Sequence, residues 1–170
     1  MKITSRAERI EPFYVMEVAK AARALADSLA HTPAGQARPM LYLNVGEPDF
    51  TAPPAVQAAA IRAINKGTTQ YTQASGLPQL RERISQWYQQ RFGVTVPASR
   101  IVLTAGASAA LQLACLALIE SGDEILMPDP SYPCNRQFVS AAEGTPVMIP
   151  TTAAERYQLS ADKVATAWQE

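Results

Sequence analysis

The chain has 170 residues, 48% of them hydrophobic, which is enough for one domain with a packed core. Its 15 Lys and Arg balance 15 Asp and Glu, so the zero net charge does not favour binding to nucleic acid or to an anionic membrane. The N-terminus is charged and lacks the apolar core of a signal peptide, and no stretch is apolar for long enough to cross a membrane. We therefore expect a cytoplasmic protein.

The first hundred positions alternate amphipathic helical patterns with turn signals. Apolar residues that recur at helical spacing predict the helices, and proline or glycine marks where they begin or end. In chain order we expect a helix over 15–29 ended by a turn at 32–35, a short strand at 40–45, a turn at 46–50, a helix from 53 to Gly67, a polar loop at 68–76, a helix from 77 to Gly93 and a connector at 94–100.

The rest of the chain alternates short apolar runs with helix-length segments. We expect strands at 101–104, 124–127 and 146–149, a small-residue turn at 105–107, helices at 108–120 and 135–142, a proline-dense loop at 128–133, a loop at 155–158 and a helix that begins at Ser160 and continues to the end of the chain. Two apolar runs joined by a helix favour a parallel pair, here 101–104 with 124–127 through a right-handed crossover. The helix at 108–120 is apolar on nearly every side and is expected to be buried.

The turn before that helix has the features of an anion site. Gly106 and Ala107 have almost no side chain, and Ser108 adds a hydroxyl donor. The first N–H groups of a helix lack internal partners and lie at the positive end of its dipole, which suits a phosphate. By itself, however, the short sequence is neither a P-loop nor GxGxxG, and it favours a plain turn that lets a helix pack on a strand.

Cysteine and histidine are scarce. Cys115 and Cys134 are too few for a disulfide framework or a metal cluster, and Cys115 is expected to be a small core residue. The single histidine, His31, stands in a loop signal and is expected to be solvated. One histidine gives little support for serine–histidine or cysteine–histidine catalysis, and we expect no metal site.

Several short motifs occur in a recognisable order along nearly the whole chain. Together they resemble the N-terminal part of the class I/II aminotransferases, the pyridoxal-phosphate enzymes of the aspartate aminotransferase fold. The motifs are Asn44–Phe50, Tyr71-Thr72 with Gly76-Leu77 and Leu80-Arg81, Thr104–Leu111, Gly122–Glu124 and Pro130–Pro133. The resemblance implies an α/β fold, the incomplete N-terminal part of the type I pyridoxal-phosphate transferase fold. Residues 1–45 would form an N-terminal arm and a helix of the small domain, and residues 46–170 the first, truncated part of the cofactor-binding large domain with its parallel sheet.

The resemblance implies cofactor contacts at four positions. Gly106, Ala107 and Ser108 match the loop that holds the cofactor phosphate, in agreement with the helix-terminus argument. Tyr132 matches the aromatic residue that stacks on the pyridine ring and orients it. The loop of Tyr132 follows a strand, and the carboxyl ends of strands are where open α/β sheets bind ligands. Without the resemblance, Tyr132 could equally be an ordinary loop aromatic.

Two further positions are implied by the resemblance. Gly46 matches the glycine whose backbone approaches the substrate carboxylate. Tyr71 matches a tyrosine that reaches the cofactor phosphate of the neighbouring subunit, which implies a homodimer with shared sites. Alone, Gly46 would be a turn glycine and Tyr71 a surface tyrosine. Glu47 and Asp49 flank a proline and are better interpreted as turn residues than as a catalytic carboxylate pair.

The lysine whose amine joins the cofactor covalently is absent from the matched motifs. The four lysines, Lys2, Lys20, Lys66 and Lys163, all lie outside the serine-lysine context of the family. The family's aspartate for the pyridine nitrogen and its arginine for the substrate carboxylate fall later than Glu170. In the family, the strand at 101 lies at one edge of the sheet and those at 124 and 146 lie at the other. We therefore expect an N-terminal portion of a longer protein, with no catalytic residue here and no activity alone.

The expected reaction of the whole protein moves an amino group from an amino acid to a 2-oxo acid. A carbon–sulfur lyase of the same fold is an alternative, because related lyases share these motifs. The second alternative is a non-catalytic relative, either truncated or serving as the sensing domain of a regulator. The third alternative is a nucleotide-binding α/β domain that uses the Gly106 turn. Near-ultraviolet or visible absorption by pyridoxal phosphate would distinguish the enzymes that bind this cofactor from the nucleotide-binding alternative.

Overall fold

A computed structural model describes residues 2–168 of the chain. Within that range the helices and strands are α1 (Ser5–Glu8), α2 (Tyr14–Leu29), α3 (Pro33–Ala37), α4 (Pro54–Asn65), α5 (Pro78–Phe92), α6 (Ala107–Leu118), β1 (Glu124–Asp129), α7 (Cys134–Ala141), β2 (Thr145–Pro150) and α8 (Ala161–Ala167), with 3₁₀ turns at Ala98–Arg100 and Ala153–Glu155. The alternation of strand, helix, strand and helix over the last third matches the expected α/β class.

Strands β1 and β2 form a parallel pair connected by α7. Their register runs from Glu124 opposite Thr145 to Asp129 opposite Pro150. The buried apolar side chains of the described residues lie on these three elements and just after α7: Met127, Val139, Ala142 and Ile149. Burial of this face stabilises the unit, because each fully buried side chain of this size contributes about 1.5–3 kcal/mol.

Two predicted helix ends are confirmed in detail. Gly93 follows α5 in the left-handed conformation, with φ +69°, and its N–H donates to the Gln89 carbonyl at 3.0 Å. Ser160 caps α8, since its hydroxyl accepts a 3.2 Å hydrogen bond from the Lys163 N–H. Both residues satisfy backbone groups that a helix leaves unpaired at its ends. The last helix ends earlier than predicted, at Ala167, and the final two residues lie outside the described part.

The predicted parallel pair of 101–104 with 124–127 is wrong. Residues 101–104 form no strand in the described structure, and the backbone N–H of Leu103 donates instead to the Ser75 carbonyl at 3.1 Å. The strand expected at 40–45 is also wrong, and its Asn44 side chain donates to the Val15 carbonyl at 3.3 Å. An apolar run becomes a strand only where a neighbouring strand offers a ladder, and β1 takes β2 as its partner.

Two other predictions need correction. The expected burial of 108–120 is wrong, because no residue of α6 is buried and its leucines at 111, 113, 116 and 118 are between 43% and 80% exposed. The described residues supply no layer that covers these side chains, although their apolar character suits one. Cys115, on the same helix, is half-buried, and both cysteines are free. The loop expected at 32–35 contains the one-turn helix α3, which Thr32 caps by accepting a bond from the Gly35 N–H at 3.1 Å.

The chain divides into two compact units. Met1–Gly46 and Leu111–Glu170 form one, and Glu47–Ala110 form the other. The first contains β1, α7 and β2. The second contains α5, whose Ser85 hydroxyl donates to the Val96 carbonyl at 2.6 Å and whose Arg81 guanidinium donates to the Ala98 carbonyl at 3.3 Å. The division into domains at residue 46 that the resemblance implies stays a prediction.

A charged cluster ties α8 to the segment after β2. The Glu155 carboxylate accepts hydrogen bonds from the Thr152 N–H and hydroxyl, both at 2.8 Å, and lies 2.6 Å from Lys163 Nζ. The bond from Lys163 is the main cause that lowers the pKa of Glu155 from 4.5 to about 2, and the two bonds from Thr152 add to it. The ionised carboxylate is therefore the form that the fold stabilises.

Acid should remove the stabilisation that Glu155 supplies. Since the folded-state pKa lies below the ordinary value, this contribution is fully present above pH 4.5 and is lost as the pH falls towards 2. We expect Glu155→Gln to lower the urea unfolding midpoint at about pH 6, and the difference from wild type to disappear near pH 2. Lys163→Gln removes the main partner and should show the same pH dependence. A difference that stays constant across this window would contradict the assignment.

Candidate functional site

The turn before α6 is open and adopts a conformation that suits glycine. Gly106 has φ +88°, in the left-handed region, and a Cβ at this position would meet nothing within 4 Å. Its N–H donates to the Thr104 carbonyl at 2.8 Å, and the Thr104 hydroxyl donates to the Gly106 carbonyl at 2.9 Å. These two bonds fix the path of the backbone into the helix.

The first N–H groups of α6 follow this turn. The Ala110 N–H donates to the Gly106 carbonyl at 3.4 Å, so the N–H groups of Ala107, Ser108 and Ala109 precede the helical ladder. Such groups have no acceptor inside their own helix and lie at the positive end of its dipole. Gly106, Ala107 and Ser108 are all exposed. The turn thus offers accessible N–H donors beside a hydroxyl, a donor set that fits the phosphate of pyridoxal phosphate.

Tyr132 lies in the loop between β1 and α7. Thr151 is buried and holds the start of this loop, because its N–H and its hydroxyl both donate to the Asp129 carbonyl, at 2.8 and 3.0 Å. The Asn135 N–H donates to the Tyr132 carbonyl at 3.1 Å. The Tyr132 ring meets the Phe13 ring edge to face, with centroids 6.3 Å apart and planes at 73°. With 51% of its surface exposed, Tyr132 keeps part of its aromatic surface accessible.

The Tyr132 phenol is the second titratable group in the described chain whose pKa clearly departs from its ordinary value. A side-chain hydrogen bond with Cys134 is the largest cause that raises the pKa of Tyr132, followed by the electrostatic interaction with that thiol and then by burial. An ordinary tyrosine phenol is already protonated at neutral pH, and this upward shift of its pKa extends the protonated range of Tyr132 to higher pH. Tyr132 therefore presents a neutral aromatic ring, which suits stacking on a cofactor ring.

The remaining predicted site residues lie in exposed segments. Gly46 is exposed, and a Cβ there would meet nothing within 4 Å, so its backbone is accessible. Tyr71 is fully exposed in the loop between α4 and α5. Gly46 and Tyr132 belong to one compact unit, whereas Tyr71 and the Gly106 turn belong to the other. Each unit therefore carries part of the predicted site.

Sequence reasoning did not find the contacts between the N-terminal arm, residues 2–13, and the segment that runs from α7 to Glu143. Glu11 Oε2 lies 3.1 Å from Arg136 Nη2, and the Glu11 N–H donates to Gln137 Oε1 at 3.3 Å. Arg6 Nη1 lies 3.3 Å from Glu143 Oε1. These partners are 125 or more positions apart along the chain, and no local sequence pattern predicts contacts between such distant residues.

The α/β fold and the N–H and hydroxyl donors at the Gly106 turn are those expected of a pyridoxal-phosphate enzyme, and comparison with known proteins identifies the family. The chain belongs to the class I and II aminotransferases, because the family model "Aminotransferase class I and II" matches residues 38–170. The resemblance inferred from the motifs is thereby confirmed. Its fold is that of aspartate aminotransferase: the solved enzyme of Rhizobium meliloti aligns with a TM-score of 0.85 and 30% identity, over 99% of this chain and 40% of that one.

Individual relatives agree with this assignment. A curated aspartate aminotransferase of Pyrococcus horikoshii is 38% identical over 65% of this chain and 28% of its own length. A valine–pyruvate aminotransferase of Mycobacterium tuberculosis is 36% identical over 92% of this chain and 38% of its own length. The solved alanine aminotransferase of Pyrococcus furiosus has a TM-score of 0.86 at 31% identity, over 99% of this chain and 41% of that one. The chain therefore spans well under half the length of these relatives. In the described part, no helix combines the length and apolar character needed to cross a membrane.

Proposed function

We propose that the intact protein is a pyridoxal-phosphate-dependent aminotransferase that moves an amino group from an amino acid to a 2-oxo acid. Membership of the family supports the reaction class. The observation that carries the cofactor assignment is the open left-handed turn at Gly106, which presents the first N–H groups of α6 beside the Ser108 hydroxyl. Bound in the site, pyridoxal phosphate would supply an electron-accepting ring for the transfer.

In the proposed mechanism, the residues of this chain bind and orient the cofactor and the substrate. The N–H groups that follow Gly106 and the hydroxyl of Ser108 would hold the negatively charged phosphate, and the helix dipole would favour that charge. The neutral ring of Tyr132 would stack on the cofactor ring and would exclude water from it. The accessible backbone at Gly46 receives the substrate carboxylate. Each of these roles is binding or positioning, and none requires proton transfer by a residue of this chain.

Assembly as a cytoplasmic homodimer is part of the proposal. The fully exposed side chain of Tyr71 supports it, because a tyrosine that serves the phosphate of a neighbouring subunit must project from its own subunit. Removal of the Tyr71 side chain would then weaken cofactor binding in the site of the neighbouring subunit. In a mixed dimer with one altered subunit, the affinity for the cofactor should fall in the site of the unaltered subunit.

Covalent attachment of the cofactor is proposed to lie outside these 170 residues. Lys163, one of the four lysines, is committed to Glu155 and to the Pro150 carbonyl, to which its Nζ donates at 2.7 Å. Lys20 and Lys66 follow alanine and asparagine, and Lys2 follows the initial methionine, so none has the serine-lysine context of the family. The 170-residue chain alone is therefore proposed to be inactive.

The test uses the full-length protein. We expect pyridoxal phosphate to bind in a one-to-one ratio with an absorption band above 300 nm, about where protein side chains stop absorbing. With an amino acid donor, 2-oxo acid should form only as fast as an added 2-oxo acid acceptor is consumed. Release of ammonia or of a thiol without an acceptor would contradict transamination, and absence of cofactor binding would contradict the whole proposal. Borohydride should trap cofactor on the full-length protein and not on the 170-residue chain.

A further inference from the structure

The end of the N-terminal arm contacts the segment that carries Tyr132. The Phe13 ring meets the Tyr132 ring edge to face, and two hydrogen bonds join Glu11 to the first turn of α7: the carboxylate accepts from Arg136 and the N–H donates to Gln137. A pocket of about 140 Å³ is lined by the end of the arm, the first two residues of α2, Pro133 and the first turn of α7. One short stretch of the arm therefore touches the Tyr132 ring and the helix that follows it.

These contacts differ in what they contribute. The Glu11–Arg136 pair has both side chains about half exposed, so solvent screens it and it contributes little alone. The ring contact is stronger, because an edge-to-face aromatic pair adds stabilisation beyond the area that it buries. About half of the Tyr132 surface is exposed, and among residues 2–168 the aromatic ring that meets it is that of Phe13. The orientation of the Tyr132 ring thus depends in part on Phe13, a residue near the start of the chain, and in part on the hydrogen bond between its phenol and Cys134.

We propose that Phe13 is a positioning residue for Tyr132, and that the bonds of Glu11 to α7 hold the arm where Phe13 can act. The inference rests on the proposed function in one respect, the stacking of Tyr132 on the cofactor. A ring already held at the correct angle loses less conformational entropy when the cofactor binds, so pre-orientation by Phe13 raises affinity without a direct contact to the cofactor. Phe13 acts through Tyr132 and is not a catalytic residue.

The experiment compares full-length protein with its Phe13→Ala variant. In the cofactor-free protein, amide hydrogen exchange across residues 131–137 should become about threefold to tenfold faster, while exchange in β1 and β2 stays unchanged. The Kd for pyridoxal phosphate should rise by a similar factor, about threefold to tenfold. Phe13→Tyr should restore both quantities, because it keeps an aromatic ring at this position. Phe13→Leu, which keeps apolar volume without a ring, should restore neither and serves if the alanine variant does not fold.

Arg6→Gln is the matched control. It removes the other ion pair between the arm and the region of α7, which has similar length and exposure, and it leaves Phe13 and Glu11 untouched. We expect it to change neither exchange at 131–137 nor the Kd.

The outcomes separate the inference from the proposed function. Equal effects of Arg6→Gln and Phe13→Ala would show that the arm stabilises the fold generally, and would overturn the positioning role. Unchanged exchange in Phe13→Ala would overturn it as well. Faster exchange with an unchanged Kd would overturn the link from Tyr132 to the cofactor. A wild-type protein that binds no pyridoxal phosphate would overturn the proposed function, while the exchange result would still decide whether the arm holds the loop.

Discussion

Gly106→Val should weaken the binding of pyridoxal phosphate to the full-length protein by about 100-fold. A residue with a Cβ costs about 1–2 kcal/mol at the observed φ of +88°, and a β-branched side chain fits that region worst. The backbone would relax towards negative φ and turn the N–H groups of Ala107 and Ser108 away from the phosphate. Loss of one hydrogen bond to a charged group costs about 1.5–3 kcal/mol, and a 100-fold change corresponds to about 2.7 kcal/mol.

Titration of the cofactor-free protein with pyridoxal phosphate gives the Kd, and thermal unfolding without cofactor gives the stability. Gly67→Val is the control, because Gly67 also has positive φ, +72°, and open space around a Cβ. Both substitutions should lower the unfolding temperature by similar amounts, since both strain a left-handed turn. Only Gly106→Val should raise the Kd. Similar Kd values for the two variants would show that the cofactor phosphate does not bind at the Gly106 turn.

Local chemistry made several elements predictable. Gly93 and Ser160 end and begin their helices by satisfying backbone groups within a few residues, so the sequence around them contains all the information needed. Helices α2, α4 and α5 begin within one residue of the predicted positions for the same reason. Strands need partners that are distant in sequence, and the rule that successive apolar runs pair failed at 101–104. The family's strand arrangement, which places the strands at 124 and 146 on the same side, agreed with the observed pair.

The candidate site shows the same division. The Gly106 turn and Tyr132 each belong to a short motif that the sequence alone reveals. The structure adds that the turn at Gly106 is open and left-handed and that the pKa of the Tyr132 phenol is raised. The contact of Phe13 with Tyr132 was not predictable, because the two residues belong to different motifs and nothing in either pattern requires the other. The predicted burial of α6 was also wrong. Apolar composition indicates that a helix favours burial, but it does not specify which other element packs against it.

Val139→Asp should unfold the unit that carries Tyr132. Val139 is 3% exposed, the most buried residue of the small core that it forms with Met127, Ala142 and Ile149. An aspartate at this position would place a carboxylate among the apolar side chains of this core, and such a buried charge costs more than about 4 kcal/mol. The loss is comparable with the whole stability of an ordinary domain, which is about 5–15 kcal/mol.

Urea unfolding of the full-length protein, followed by circular dichroism, measures this loss. Val139→Ala provides the intermediate case: it removes two methyl groups and leaves a small cavity, and should cost about 2–3 kcal/mol. Val18→Asp places the same charge at a side chain that is 54% exposed on α2 and should cost less than about 1 kcal/mol. Because the Tyr132 loop is anchored at both ends to β1 and α7, the loss of their packing should also abolish the protection of residues 131–137 from exchange. A Val139→Asp protein as stable as the Val18→Asp protein would show that this β–α–β core does not hold the loop.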